Sequence, residues 1–284
     1  MTALLIKAAR PGFWSTSVWF YLLPLGQKWV FDDWRFWLGL LYVTFPLGLL
    51  IYGCNDLVDR ETDRLNPRKD SYLFGARPDE AQLARLPGWI ALVQAPFFAG
   101  FVWMFGGKAL VWIGVLLALI ALYNLRPPAL KSRAGWDMLN QVGYLLVFIL
   151  ASWLCDLPQA PWFTFVFGAL FAMHSHLFGQ IMDHAPDLAA GRRTTAGVLG
   201  IRRAKLLLIF LLLGESALVG WCATDLWTAA FLLAGAAFFV ADAAFLWRNR
   251  PYEPWQMRLL FLGWNAAAIF SLPFVWQQAS FAAR

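Results

Sequence analysis

Residues 36–63 read FWLGLLYVTFPLGLLIYGCNDLVDRETD, an apolar run that passes without a break into a cluster of acids. The part at 36–55 is long enough to cross a bilayer, because a helical span needs about 20 residues. Lipid offers the backbone no hydrogen-bond partners, so a span of this length must be a helix. The segment therefore predicts a membrane helix that carries carboxylates at one end.

The composition of the whole chain also indicates a membrane protein. Of its 284 residues, 60% are hydrophobic and 14% are charged, whereas soluble domains average about 25% charged residues. Apolar segments can be marked off at about residues 13–31, 36–55, 86–105, 109–124, 138–155, 160–182, 205–222, 225–247 and 257–277. We therefore expect an all-α integral membrane protein with about nine transmembrane helices, forming a single domain over residues 1–284.

The distribution of Lys and Arg predicts the orientation of these helices. With the N-terminus in the cytoplasm, 19 of the 23 Lys and Arg residues fall in cytoplasmic loops, and the others are Lys28, Arg35, Lys108 and Arg284. Cytoplasmic loops are enriched in these residues. We therefore expect a multi-pass protein with a cytoplasmic N-terminus, in a bacterial cytoplasmic membrane. The same loops explain the net charge of +6 without a nucleic-acid partner.

The first acidic segment runs from Asn55 to Asp63. If the helix continues through it, Asn55, Asp59 and Asp63 recur every four residues and share one face. Asp56 and Asp59 are three residues apart and also lie close together. Carboxylates so near one another repel unless a cation neutralises them. This pattern favours a cation site at the end of the helix.

A second acidic pair, Asp183 and Asp187, follows the sixth apolar segment, and Pro186 between them indicates that the helix ends or kinks there. By the predicted topology, both acidic segments reach the cytoplasmic face. Oxygen-only clusters suit Mg²⁺, and Arg and Lys beside such a metal would neutralise a diphosphate. The neighbouring cations are Arg68, Lys69, Arg77, Arg126, Lys131, Arg192 and Arg193.

A structural explanation competes with this functional one. A lone Asp at a helix end is usually a cap, and basic loops are explained by topology alone. Two acidic clusters at one face, each at the end of a nearly uncharged helix, are harder to explain in this way, because acids at the membrane edge are costly and tend to be functional.

The motifs themselves resemble those of the UbiA superfamily of intramembrane prenyltransferases. Residues 55–63 resemble its N-D-x-x-D-x-x-x-D motif, and residues 183–187 with 191–196 resemble its second Asp motif and G-K/R-x-T tail. Between them, residues 123–131 are similar to the family's Tyr…Pro…Lys loop. The three motifs occur in the family's order and cover nearly the whole chain.

This resemblance implies helices around a central cavity, in which two Mg²⁺ ions bridge the Asp motifs and an isoprenyl diphosphate. It implies catalytic roles for Asp59, Asp183, Asp187 and Lys131. The implied metal positions are Asn55, Asp56, Asp59, Asp63, Asp183 and Asp187. The implied diphosphate contacts are Arg68, Lys69, Tyr123, Arg126, Lys131, Arg192 and Arg193. At the positions of Arg192 and Arg193 the family commonly has Lys.

The implied reaction transfers an isoprenyl group through an allylic carbocation to a lipophilic acceptor, either an aromatic ring or a polyene. Residues 52–56, 61–63 and 66–69 are similar to the branch that prenylates carotenoids such as lycopene. Two alternatives remain: a terpene cyclase that needs no acceptor, and a non-enzymatic membrane carrier whose acids hold transported cations.

Two histidines in the sixth apolar segment, His174 and His176, offer a further function. With Gln180 they could handle a proton of the acceptor, or they could form hydrogen bonds between helices. Because residues two apart face different sides of a helix, we expect at least one of them to be structural. Other cavity candidates are Tyr21, Tyr52, Trp136, Asn140, Gln141 and Tyr144.

Overall fold

The computed structural model describes residues 1–66 and 68–282. Pro67 and Arg284, which belong to the predicted motif and to the charge distribution, lie outside the described residues, as does the side chain of Glu61. Within the described part, the regular structure is helical, and only two isolated β-bridges occur. This confirms the all-α fold class.

The described part of the chain contains fourteen α-helices. They are α1 (Thr2–Ala8), α2 (Trp14–Leu22), α3 (Trp34–Val58), α4 (Arg60–Leu65), α5 (Glu80–Phe105), α6 (Gly107–Asn124), α7 (Trp136–Leu139), α8 (Leu146–Leu154), α9 (Trp162–Met182), α10 (His184–Ala189), α11 (Thr195–Leu199), α12 (Ile201–Leu218), α13 (Leu226–Ala244) and α14 (Pro254–Gln278). A 3₁₀ segment, Asn140–Leu145, joins α7 to α8, and a π-helical turn, Val219–Ala223, extends α12.

Eight helical segments of the described chain are long and apolar enough to cross a membrane: α3, α5, α6, α7–α8, α9, α12 with its π-turn, α13 and α14. They match eight of the apolar segments found in the sequence, with ends that differ by a few residues. The chain is therefore an integral, multi-pass membrane protein.

The first apolar segment, at 13–31, is shorter as a helix than its hydropathy suggests. Helix α2 passes into a 3₁₀ turn at Leu23–Leu25, and Gly26 then adopts an extended conformation with ψ 139°. Pro24 has no backbone N–H to continue the helical ladder. The apolar residues up to position 31 therefore belong to a loop rather than to a ninth long helix.

Polar side chains inside the bundle fix the helix ends and contacts. Asp79 and Gln82 form a capping box at the start of α5, which satisfies backbone N–H groups that have no intrahelical partner. Farther along α5, Gln94 donates to the carbonyl of Pro46 in α3 at 2.7 Å. In lipid such a bond between helices pairs a buried amide N–H₂ group that would otherwise have no partner.

The packing brings the carboxyl ends of α3 and α9 together. Helix α12 packs against α9 and α13, while α3 packs against α2 and α5, and α14 lies against α2. The short helices α4 and α10, which follow α3 and α9, contact each other. Both acidic segments therefore meet at one end of the bundle, as the sequence predicts.

Candidate active site

A cavity of about 680 Å³ opens where the acidic helix ends meet. Its polar end is lined by residues from both acidic segments and from the loops beside them: Asn55, Asp59, Thr62, Asp63, Asn66, Arg68, Lys69, Tyr123, Asn124, Lys131, Asp183, Asp187, Arg192 and Thr194. The rest of its wall is mainly aromatic and aliphatic. The cavity thus combines a charged end with an apolar interior.

The first acidic segment is not one continuous helix. Helix α3 ends at Val58, Asp59 is its C-cap, and α4 begins at Arg60. Even so, Asn55, Asp59 and Asp63 all line the cavity, as their four-residue spacing predicts. The break at Asp59 therefore does not separate the three side chains.

Asp56 takes a different position from the other residues of this segment. Its side chain is fully buried outside the main cavity, where it pairs with Lys69 at 2.6 Å and with Arg10 at 3.4 Å. It lines a second cavity of about 300 Å³, which shares Asp63 with the first. The Asp56 carboxylate therefore holds the side chains of Lys69 and Arg10 and does not face the main cavity.

The second acidic segment has the turn that Pro186 indicates. Helix α9 ends at Met182, Asp183 caps it, and α10 begins at His184. The backbone N–H of Asp187 donates to the carbonyl of Asp183 at 2.9 Å, so the two acids lie one turn apart. Both side chains line the cavity.

Cations tie the two acidic segments together. Lys131 and Arg192 both form ion pairs with Asp59, and Arg192 also reaches Asp187 at 3.5 Å. The Lys131 ammonium accordingly contacts a residue of the first segment, and Arg192 contacts both segments. A polyanionic ligand that binds in the cavity would therefore contact Lys131 and Arg192, whose charged groups are already held in place.

A second set of contacts involves the loop after α4. Arg68 forms an ion pair with Asp183, and the side-chain amide of Asn66 donates to the same carboxylate at 2.8 Å. Lys69 lies 2.8 Å from Asp63. Five of the predicted diphosphate ligands, counting Tyr123, thus line the polar end of the cavity among the described residues.

Two predicted diphosphate ligands, Arg126 and Arg193, do not reach the cavity in this structure. Both side chains are exposed and absent from its lining. Of the other cavity candidates, Tyr52, Asn140, Gln141 and Tyr144 line it, whereas Tyr21 is buried elsewhere and Trp136 is 58% exposed.

The burial of the acids changes their titration. Burial raises the pKa of Asp63 to about 6, although the Lys69 charge opposes this shift. Burial, together with the negative charge of Asp183, raises the pKa of Asp187 to about 7. Burial would also raise the pKa of Asp59, but Arg192 and Lys131 outweigh it and lower that pKa. The site therefore holds carboxyl groups that a bound cation would favour in their ionised form.

The donor set fits Mg²⁺. Among the described residues, no three His, Cys, Asp or Glu side chains converge into a complete metal cage. Mg²⁺ does not need one, because it usually takes one or two carboxylates and completes its octahedron with waters and substrate phosphates. Asn55, Asp59, Asp63, Asp183 and Asp187 offer only oxygen ligands for that purpose.

Arg10 is a functional candidate that reasoning from sequence missed. It lines the cavity, lies over the Tyr52 ring at 4.4 Å and pairs with Asp56 at 3.4 Å. In the sequence it is one of many basic residues near a predicted cytoplasmic end. Only the packing of the N-terminal segment brings it to the site, so no local signal could have identified it.

A buried network supports the tail of the second motif. Asp137 of α7 is fully buried and accepts hydrogen bonds from the backbone N–H of Thr195 at 2.6 Å and from Gln180 at 2.7 Å. The side-chain amide oxygen of Gln180 accepts in turn from the backbone N–H of Ala196 at 3.1 Å. This network holds the segment that carries Arg192 against α9.

The two histidines of α9 differ in their hydrogen-bond partners and in their burial. His174 is buried and lies 2.6 Å from Glu215, whereas His176 is half-buried and lies 2.9 Å from the Gln180 amide. Both contribute to the cavity wall. The remaining wall is largely apolar and includes Phe20, Val43, Leu47, Leu116, Phe171, Phe178, Phe231, Phe238 and Trp264.

Comparison with known proteins agrees with this geometry. The UbiA prenyltransferase family matches residues 13–266. A lycopene elongase/hydratase of Corynebacterium glutamicum is 27% identical over 86% of this chain and 85% of its own length. Another, from Haloarcula japonica, is 35% identical over 56% of this chain and 53% of its own.

A solved structure shares the fold. The structure of a UbiA homolog from Archaeoglobus fulgidus bound to DMAPP and Mg²⁺ matches with a TM-score of 0.70 at 18% identity, covering 96% of this chain and 99% of that one. Because the family match spans most of the sequence and the Asp-lined cavity lies where its motifs meet, this membrane protein belongs to the UbiA prenyltransferase family and is a prenyltransferase.

Proposed function

We propose that this prenyltransferase moves an isoprenyl group from an isoprenyl diphosphate to a lycopene-like polyene in a Mg²⁺-dependent reaction. One observation carries the proposal: the cavity has acids and cations at one end and an apolar wall elsewhere. A diphosphate fits the first part and a hydrocarbon fits the second. The lycopene elongases among its relatives support the polyene over an aromatic acceptor.

The residues of the polar end divide into two groups by charge. Asn55, Asp59, Asp63, Asp183 and Asp187 would hold the metal, and we expect two ions because the acids come from two separate segments of the chain. Mg²⁺ bound there would supply charge neutralisation to the departing diphosphate. Asp56 has a supporting role, since it fixes Lys69 and Arg10.

The cations bind the diphosphate. Lys131 and Arg192 are oriented by Asp59, Arg68 by Asp183, and Lys69 by Asp63. Because they are held in place before the substrate arrives, little reorganisation is needed as negative charge develops on the leaving group. Tyr123 adds a hydroxyl at the same end.

The apolar wall protects the cationic isoprenyl group. Aromatic faces attract cations, and a dry wall keeps water from capturing the carbocation before the acceptor does. Phe20, Phe171, Phe178 and Trp264 contribute such rings to the cavity. The basic loops support an orientation in which the charged end faces the cytoplasm.

The test uses purified protein in detergent with DMAPP or GPP, with and without lycopene. We expect diphosphate release and an elongated polyene only when Mg²⁺ and lycopene are both present, and chelation by EDTA should stop both. Cyclic hydrocarbons formed without an acceptor would instead establish a terpene cyclase. No diphosphate release under any condition would contradict the proposed reaction and favour a carrier.

A further inference from the structure

A buried acid–imidazole pair lies deep in the bundle, apart from the diphosphate end. His174 Nδ1 of α9 is 2.6 Å from Glu215 Oε1 of α12, and the two side chains are 4% and 0% exposed. His174 precedes Asp183 by more than two turns, roughly 13 Å along the helix axis. Ionisable groups inside a membrane helix are costly and tend to be functional, and the binding of the diphosphate does not use this pair.

The pair has the arrangement of a base oriented by a carboxylate. With Glu215 ionised, its carboxylate can only accept, so His174 would donate its Nδ1–H to Glu215 and would carry a free lone pair on Nε2. Among the residues that the structure describes, Nε2 has no hydrogen-bond partner, and it is closed to water. A carboxylate in this position also stabilises the imidazolium that forms when Nε2 takes up a proton.

The surroundings connect His174 with the apolar part of the cavity. His174 lines the cavity, whereas Glu215 lies behind it. The imidazole packs against Phe171 and Trp264, with ring centroids 4.9 and 5.4 Å away, and both of these rings line the cavity as well. The imidazole ring therefore belongs to the dry wall that a hydrocarbon acceptor would contact. Because Nε2 itself has no open surface, a rotation of the ring must bring it to the acceptor.

We propose that His174 accepts the proton that the prenylated acceptor loses, with Glu215 as its positioning residue. This inference rests on the proposed function. The C1–O bond of the donor breaks, and its electrons leave with the diphosphate. C1 then bonds to one carbon of an acceptor double bond, which makes the neighbouring carbon cationic. A C–H bond beside that carbon breaks, its electron pair forms a new double bond, and its proton moves to Nε2. While the rotated ring still exposes Nε2 to the cavity, water that enters as the product leaves takes this proton from the imidazolium.

The first test reads the tautomer in the unmodified protein. The chain has only three histidines, so ¹⁵N-histidine labelling gives a simple spectrum, and the His176→Asn and His184→Asn variants assign the His174 signals by elimination. We expect a protonated Nδ1 and an unprotonated Nε2. A protonated Nε2 with a bare Nδ1 would overturn the proposal, and this result does not depend on whether a His174 variant folds.

The second test measures the products formed from DMAPP and lycopene. A positioned base is worth about 10²–10⁴-fold, so His174→Gln and Glu215→Gln should slow formation of the alkene product at least about tenfold. They should also raise the share of water-captured alcohol, with an unchanged KM for DMAPP. An unchanged alkene rate and share in folded variants would overturn the proposal.

A matched control is the same substitution two residues along the helix. His176 lies in the same cavity wall, so the overall rate of His176→Gln is not the readout. His176 lacks a carboxylate hydrogen-bond partner, so the alkene share of this variant should stay that of the unmodified protein. An equal shift in this variant would overturn the specific role of His174. If the unmodified protein forms no elongated product, the proposed function fails. The ¹⁵N spectrum then still shows whether His174 has the tautomer that pairing with Glu215 as acceptor requires.

Discussion

Lys131 provides the sharpest test of how the site binds diphosphate. Its side chain is 6% exposed. The ammonium group pairs with Asp59 and lies 3.1 Å from Asn124 Oδ1 and 3.2 Å from Asn55 Oδ1. These three contacts match the three donors of an ammonium group, so the charge is fixed at the polar end of the cavity. The Lys131→Gln substitution removes this charge but keeps a side chain that can donate.

The expected loss follows from these contacts. A hydrogen bond to a charged group contributes about 1.5–3 kcal/mol, which corresponds to roughly a 10- to 150-fold loss of kcat/KM. The fold should persist, because Asp59 keeps its pairing with Arg192. Diphosphate release from DMAPP in the presence of Mg²⁺ measures the rate, and thermal unfolding in detergent checks the fold.

Arg126 provides the matched control for Lys131. Both residues belong to the same predicted motif, yet Arg126 is exposed and does not line the cavity. We expect Arg126→Gln to change kcat/KM by less than about threefold, since exposed charges contribute little. Equal losses in the two variants, or a loss only in Arg126→Gln, would refute the reasoning.

Two further predictions concern stability and the support of the site. Asp242→Ala should destabilise the protein by about 3–5 kcal/mol, because the fully buried ammonium of Lys205 loses its carboxylate partner at 2.8 Å. The double variant Lys205→Met/Asp242→Leu should lose less stability. A larger loss in the double variant than in Asp242→Ala, measured by thermal unfolding, would contradict this. Gly75→Ala should lower turnover, because Gly75 has φ +109° and an added Cβ would lie 2.9 Å from Arg10 Nε and 3.4 Å from Lys69 Nζ. Wild-type turnover in Gly75→Ala would show that the positions of these two cations do not matter.

The helices were predictable from sequence because apolar length is a strong constraint in lipid. Eight of the apolar segments correspond to long helices. The segment at 13–31 differs because hydropathy does not register the effect of Pro24 and Gly26 on the backbone. Where residues are apolar but the chain must turn, composition alone overestimates the length of the helix.

The site was predictable to the extent that it depends on local spacing. Asn55, Asp59 and Asp63 share the cavity because four residues make about one helical turn. Asp56 lies in the same motif, but the tertiary position of Arg10 and Lys69 decides which way it faces. The pairing of His174 with Glu215 likewise depends on the packing of α9 against α12. Such long-range contacts leave no pattern in a single sequence.

The most direct test of the central claim replaces one acid from each segment, in the variants Asp59→Asn and Asp183→Asn. Both keep the size of the side chain but remove the charge that would hold Mg²⁺ and orient Arg192 or Arg68. Mg²⁺-dependent diphosphate release from DMAPP is measured on protein that elutes and unfolds like the unmodified enzyme. We expect each variant alone to lose at least about 10²-fold in turnover. Near-normal turnover in either folded variant would contradict a single metal–diphosphate site built from both segments.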